Sequence, residues 1–276
     1  MACVESHTID VLGISGIDKA LTEADLAVSC TTYNALPYIG DQKDPAEHAL
    51  MCLRKAIALI AKHVMGNNFR PHIAHRHDFL DQGTVRFETK IIDTPYMLTI
   101  PTDISNVDFV NIHATCFKVI GNDLVAFEFA EGPTPLDASK VPPQFIWEWT
   151  EFINRYDLTH QFTLDFGSFG KGDEPTTEIE VQIGNTSATI TVPILACNRE
   201  CSTNIPTSWM VSAPYIRDPA RDSSPATPAP GTHWNQSTKP GGVVTHKVHV
   251  NSLSSPSGKE LVDALVKLHV IKGALF

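Results

Sequence analysis

The chain has 276 residues, of which 42% are hydrophobic and 19% charged, which is typical of a folded globular protein and excludes a disordered chain. The formal net charge of −10, from 31 acidic and 21 basic residues, comes without any cluster of lysines and arginines. Direct nucleic-acid binding is therefore disfavoured, although a basic patch formed only in the fold is not excluded. No apolar run of about 18 residues is present, so we predict no membrane span.

Two further features bear on location. The first residues, MACVESHTID, contain neither a basic nor an apolar signal-peptide region, and the six cysteines include no C-x-x-C pair. We expect free thiols and a location in the cytoplasm or in a virion, without secretion by a signal peptide.

Residues 1–83 are predicted to form a mixed N-terminal segment with a helix near 45–65. Asp44 and Pro45 are a typical helix start, apolar residues then recur at helical spacing, and Gly66 can end the helix in a left-handed conformation. The aromatic run Phe145–Phe152 fits either a strand or a short helix, with core packing as its expected role.

Residues 84–276 are predicted to form a β-sandwich domain. Apolar residues alternate with polar ones from Val85 to Lys90 and from Phe162 to Phe166, as in half-buried strands. Two alternating runs, 178–183 and 186–195, flank Gly184-Asn185 and predict a β-hairpin. Further strands are expected at 107–113, 115–120, 124–129 and 243–250.

The C-terminal part contains a proline-rich segment and then a helix. Six prolines between 214 and 242 predict a long loop there, and Ser257–Glu260 resembles a capping box that begins a C-terminal helix. The chain shows no repeated strand–helix alternation, so we predict a mostly β fold: an antiparallel, jelly-roll-like sandwich with an N-terminal and a C-terminal helix.

The densest group of possible metal ligands lies between His72 and His77. Imidazole nitrogens suit zinc, iron or copper, and His75 and His77, two residues apart, could bind one ion together with a distant third ligand such as His113 or His160. The alternative interpretation is a polar segment that leads into the strand at Val85. Cys197 and Cys201 could bind zinc, but two loop thiols are the simpler interpretation.

The runs Thr189–Pro193 and Met210–Tyr215 each place a proline after strand-like residues, between long polar loops. In this respect residues 84–252 resemble the jelly-roll capsid subunits of small icosahedral viruses, although the basic arm of many such subunits is missing. The resemblance implies self-association, with no catalytic residues and no cofactor.

Three functional hypotheses follow. The first is a non-enzymatic structural protein that assembles with its own copies, such as a capsid subunit. The second is a metal-dependent enzyme on a β-sandwich or barrel that uses the His72–His77 cluster. The third is a partner-binding or movement-type protein that uses the proline-rich loop.

Overall fold

The fold was derived from a computed structural model. It describes residues 12–39, 47–135, 137–167, 176–183, 186–197, 203–209, 211, 231–237, 248–249 and 258–272. The helices are α1 Glu23–Asn34, α2 Glu47–Lys62, α3 Pro143–Arg155 and α4 Gly258–Lys267. The strands are β1 Phe69–Ile73, β2 Thr84–Lys90, β3 Met97–Asp103, β4 Ile112–Ile120, β5 Asp123–Glu131, β6 Phe162–Phe166, β7 Thr176–Ile183, β8 Thr186–Pro193, β9 Thr203–Trp209, β10 Gly231–Ser237 and β11 Val248–His249. The prediction of a mostly β fold with a C-terminal helix is confirmed.

Nine strands form one curled sheet in the order β9-β1-β6-β4-β5-β2-β3-β8-β7. β10 pairs with β9 at one end and with β7 at the other, so the two ends of the curled sheet approach each other. β11 extends β7.

The predicted antiparallel sandwich needs correction. β2 pairs in parallel with β5, and β7 pairs in parallel with both β10 and β11, so the sheet is mixed. The described strands belong to one sheet, and a sandwich is not confirmed. The reason is that alternation and turn residues identify strands and hairpins, whereas the neighbour that each hairpin finds is decided by tertiary packing.

The face of the sheet that packs against the helices is apolar. On β6, Phe162, Leu164 and Phe166 are buried with the aromatic residues of α3, of which Trp149 is fully buried. A second apolar cluster joins β7 and β8 to α4 through residues such as Ile190. Helices α2, α3 and α4 thus cover this face of the sheet, and the alternate, polar positions point to the opposite face.

Several predicted elements differ from the structure in detail. The predicted N-terminal helix corresponds to α2, and its proposed cap lies outside the described residues. After the helix, the left-handed conformation is adopted by Val64 (φ 60°) and not by Gly66. The aromatic run forms α3. The predicted loop 214–242 contains β10, because the stretch from Gly231 to Ser237 has no proline and can pair. The rest of that segment lies outside the described residues.

The predicted division of the chain at residue 83 stays a prediction. β1 precedes that boundary, and it pairs with β6 and β9 from the C-terminal side. Within the described residues, no helix is long and apolar enough to cross a membrane.

Candidate metal centre

The inner face of the curled sheet carries a row of polar side chains in register. Cα partners connect Arg86 of β2 to Glu128 of β5, then to Cys116 of β4, Asp165 of β6 and Arg70 of β1. Residues that are directly opposite in neighbouring strands project from the same face of a sheet. The register therefore places two carboxylates on either side of one thiol, with an arginine at each end of the row.

A second row crosses the other half of the sheet. Glu88 of β2 lies opposite Thr99 of β3, which lies opposite Thr189 of β8 and then Glu180 of β7. Glu178 projects from the same face of β7, two residues before Glu180. The two rows meet in space because the sheet curls, as the contacts of the histidines show.

The segment after β1 brings its histidines into this interior. The backbone of Arg76 bonds to the loop after α1, donating to Pro37 O and accepting from Ile39 N. The amide of His77 donates to Tyr33 Oη at 2.9 Å. These bonds hold the segment in place, so that His75 and His77 are both almost fully buried.

His75, His77 and Glu178 form the first group of potential ligands. One ligand atom from each lies within 4.8 Å of the other two, and His77 Nε2 is 3.2 Å from Glu178 Oε2. Two ligands about 2.0–2.1 Å from a tetrahedral zinc ion stand about 3.3–3.4 Å apart, so this separation fits a shared ion. His75 Nδ1 lies 2.9 Å from Ile73 O, which can only accept, so Nδ1 carries the proton and Nε2 offers a lone pair.

The electrostatics of the two histidines differ. Burial, together with the charges of His77 and His72, lowers the pKa of His75 well below its ordinary value, which keeps this ring neutral. Burial acts in the same direction on His77, but its hydrogen bonds to Glu178 and Glu180 outweigh it and raise the pKa of His77 to about 9. A metal ion bound there would replace this proton as the partner of the carboxylates.

Glu180 adds a carboxylate beside the group. Its Oε1 lies 3.3 Å from His77 Nδ1, on the ring edge opposite Glu178. Its Oε2 is buried and has no hydrogen-bond partner among the described residues. A buried carboxylate oxygen without a partner is costly, which favours a ligand or an ordered water at this position.

His72, Cys116 and Asp165 form a second group next to the first. His72 Nδ1 is 2.8 Å from Asp165 Oδ1, and Cys116 Sγ is 3.4 Å from the same oxygen and 3.9 Å from the same nitrogen. The rings of His72 and His75 are in edge contact, with centroids 5.1 Å apart. The two groups therefore share one interior.

The interior has more carboxylates than cationic side chains. Asp78, Glu88, Glu128, Asp165, Glu178 and Glu180 are the acidic side chains on or beside the inner face. Desolvation, then the charges of Glu178, Glu128 and Asp165, raises the pKa of Glu88 to about 7. Glu178 and Asp165 keep 17% and 20% of their side-chain surface exposed, so the interior is not sealed. Cation binding would relieve this excess of negative charge.

The sequence-based site prediction named His75 and His77, and the structure brings these two together. The suggested third ligands lie elsewhere: His113 is the second residue of β4 and lies 3.0 Å from Gly132 O, and His160 is exposed in the turn before β6. The structure offers Glu178 in their place. The alternation of polar residues in the predicted hairpin was the signal that could have indicated it.

The predicted pair of loop thiols is only partly described. Cys197 is buried, and its thiol lies 3.9 Å from Val270 O in the α4 region. Cys201 lies outside the described residues, so the interpretation as two loop thiols and the alternative of zinc binding both stay untested.

Comparison with known proteins adds no family to this description. No protein-family model matches the chain, and neither a curated protein nor a solved structure does. Functional inference therefore depends on the geometry of the interior.

Proposed function

We propose that the protein is a metal-dependent enzyme whose centre is formed by His75, His77 and Glu178. The observation that carries the proposal is the convergence of these three side chains, from two distant parts of the chain, on one buried point. Two imidazoles and one carboxylate form the ligand set of several catalytic zinc sites and of non-haem iron sites. Three protein ligands leave a coordination position for water or substrate.

The neighbouring carboxylates support a catalytic role in addition to binding. Glu180 lies against His77 Nδ1, on the ring edge away from the metal position, so it would orient the imidazole and raise its basicity as a ligand. Glu88 stands in the same row of the inner face, with its pKa near neutrality, where a general acid or base works best. A zinc ion would supply an activated water at neutral pH, so the reaction class that fits best is hydrolysis.

A role in holding the fold together is the competing explanation for the polar interior. Ion pairs alone would account for His77 between two carboxylates. They would not account for a ring nitrogen of the neutral His75 within 4.8 Å of ligand atoms of His77 and Glu178, nor for the unpaired oxygen of Glu180. These two atoms favour a bound ion.

The test is the metal content of purified protein after equilibration with zinc, measured by plasma mass spectrometry. H77A and E178Q should each lose about one zinc per chain and any zinc-dependent hydrolysis of an activated aryl ester. H113A and H160A are matched controls and should keep both. E180Q should weaken zinc binding by about 10–100-fold, because it removes the carboxylate that orients His77. Retention of all bound zinc by both H77A and E178Q would refute the proposal.

The self-assembling structural role remains the other hypothesis from the sequence, and the contacts within one chain do not test it. Light scattering on the same samples does. A discrete large assembly without bound metal would favour a capsid-type role, whereas a monomer or dimer with at least one equivalent of zinc would favour the enzyme.

A further inference from the structure

We infer that His72, Cys116 and Asp165 form a second transition-metal site, so that the interior holds two neighbouring ions. The inference rests on the proposed function, because it adds an ion to the same interior, but its ligands are different residues. The ion is of the zinc class, because a thiolate combined with an imidazole and a carboxylate suits borderline ions such as Zn²⁺ and Co²⁺.

The three ligand atoms form a triangle of suitable size. Its edges are 2.8 Å from His72 to Asp165, 3.4 Å from Asp165 to Cys116 and 3.9 Å from Cys116 to His72. Around a tetrahedral zinc ion, a nitrogen and an oxygen ligand stand about 3.3–3.4 Å apart, and sulfur stands about 3.5–3.6 Å from either. Each edge is therefore within about half an ångström of its value in a zinc site.

The backbone turns Cys116 toward this site. The pairing of β4 with β5 shifts register on both sides of Cys116, between Ala114 and Cys116 and again between Cys116 and Phe117. Ala114 and Phe117 both belong to the apolar cluster. Regular alternation would place residues 114 and 116 on the same face, so the irregularity puts the thiol on the polar side. Bulges that redirect a side chain are common beside functional sites.

Residues around the triangle orient its carboxylate. Ser208 Oγ on β9 donates to Asp165 Oδ2 at 2.9 Å, which leaves Oδ1 directed at His72 and Cys116. Thr163 Oγ1 lies 3.4 Å from the thiol. Fixed outer partners of this kind are typical of ligands in metal sites.

A cysteine nucleophile is the alternative use of these residues, and the geometry opposes it. A relay of the protease type needs the thiol and the carboxylate on opposite nitrogens of the histidine, whereas here both approach Nδ1 of His72.

The experiment is a titration of the metal-free full-length protein with Co²⁺, followed by absorption spectroscopy and native mass spectrometry. The wild type should bind two ions and show thiolate-to-cobalt charge-transfer absorption. C116S should bind one ion and lose that absorption. C52A, which changes another buried cysteine far from this triangle in the α2 core, should behave as the wild type.

The outcomes separate the two proposals. Two ions in C116S, or two ions in the wild type without charge-transfer absorption, would overturn the second site and leave the first. One ion in H77A with the charge-transfer band retained supports both sites. If H77A still binds two ions while C116S binds one, the proposed function fails and the second site stands. A single ion in the wild type, lost in both variants, would overturn the existence of a separate second site.

Discussion

Arg86 is the residue through which the buried interior can be tested most sharply. Its guanidinium is 1% exposed, lies 3.6 Å from the carboxylate of Asp78 and donates to Thr189 Oγ1 at 3.0 Å. Removal of one member of a buried ion pair leaves the other charge uncompensated and costs about 3–5 kcal/mol. We therefore expect R86M to lower the free energy of unfolding by about that amount, and the melting temperature by roughly 10 °C.

The assay is urea denaturation followed by far-ultraviolet circular dichroism and tryptophan fluorescence. R155M is the control, because Arg155 pairs with Glu151 on the surface of α3 with 62% and 39% of their side chains exposed, and its loss should cost about 0.5 kcal/mol or less. The double variant R86M/D78N should recover part of the loss. A cost below about 1 kcal/mol for R86M would refute the reasoning, because it would mean that the interior is solvated like a surface.

Three more predictions concern the helices that cover the sheet. The hydrogen bond from Lys62 depresses the pKa of Glu148 to about 2, so this link between α2 and α3 stabilises the fold fully above pH ~4.5 and is lost as the pH falls toward 2. Because Lys62 is 61% exposed, E148Q should lower the free energy of unfolding by only about 1 kcal/mol at pH 7, as measured by urea denaturation. If E148Q is still less stable than the wild type by the same amount at pH 2, the ionised Glu148 is not the source of the stabilisation. G66A should lower the free energy of unfolding by about 1–3 kcal/mol, and with it the melting temperature, because the new Cβ would stand 2.8 Å from Val211 Cβ. An unchanged melting temperature would show that Val211 can move away from residue 66 at little energetic cost. W149A should cost about 3–5 kcal/mol in the same denaturation assay, because the indole is fully buried; a cost under 1 kcal/mol would argue against its place in the core.

Local elements of this fold could be predicted from the sequence because their periodicity is strong. The helical spacing in α2, the alternation in β2 and β6 and the β7–β8 hairpin all correspond to described elements. Alternation also shows that each strand has one apolar and one polar face. It does not show which face a curled sheet turns inward, and here the polar face lines the interior while helices cover the apolar one.

The candidate site could be predicted only in part, for a related reason. His75 and His77 are close in sequence and were recognisable as a pair. Glu178 lies about a hundred residues away and reaches them only because the ends of the sheet approach each other. Cys116 is directed inward by register shifts between β4 and β5, which no pattern within a single strand reveals.

The most direct test of the metal centre is a crystal structure of the zinc-loaded protein, with anomalous diffraction measured above and below the zinc absorption edge. We expect an anomalous peak bonded to His75 Nε2, His77 Nε2 and a Glu178 oxygen at about 2.0–2.2 Å. Zinc found only on the surface, with His77 still hydrogen-bonded between Glu178 and Glu180, would contradict this expectation.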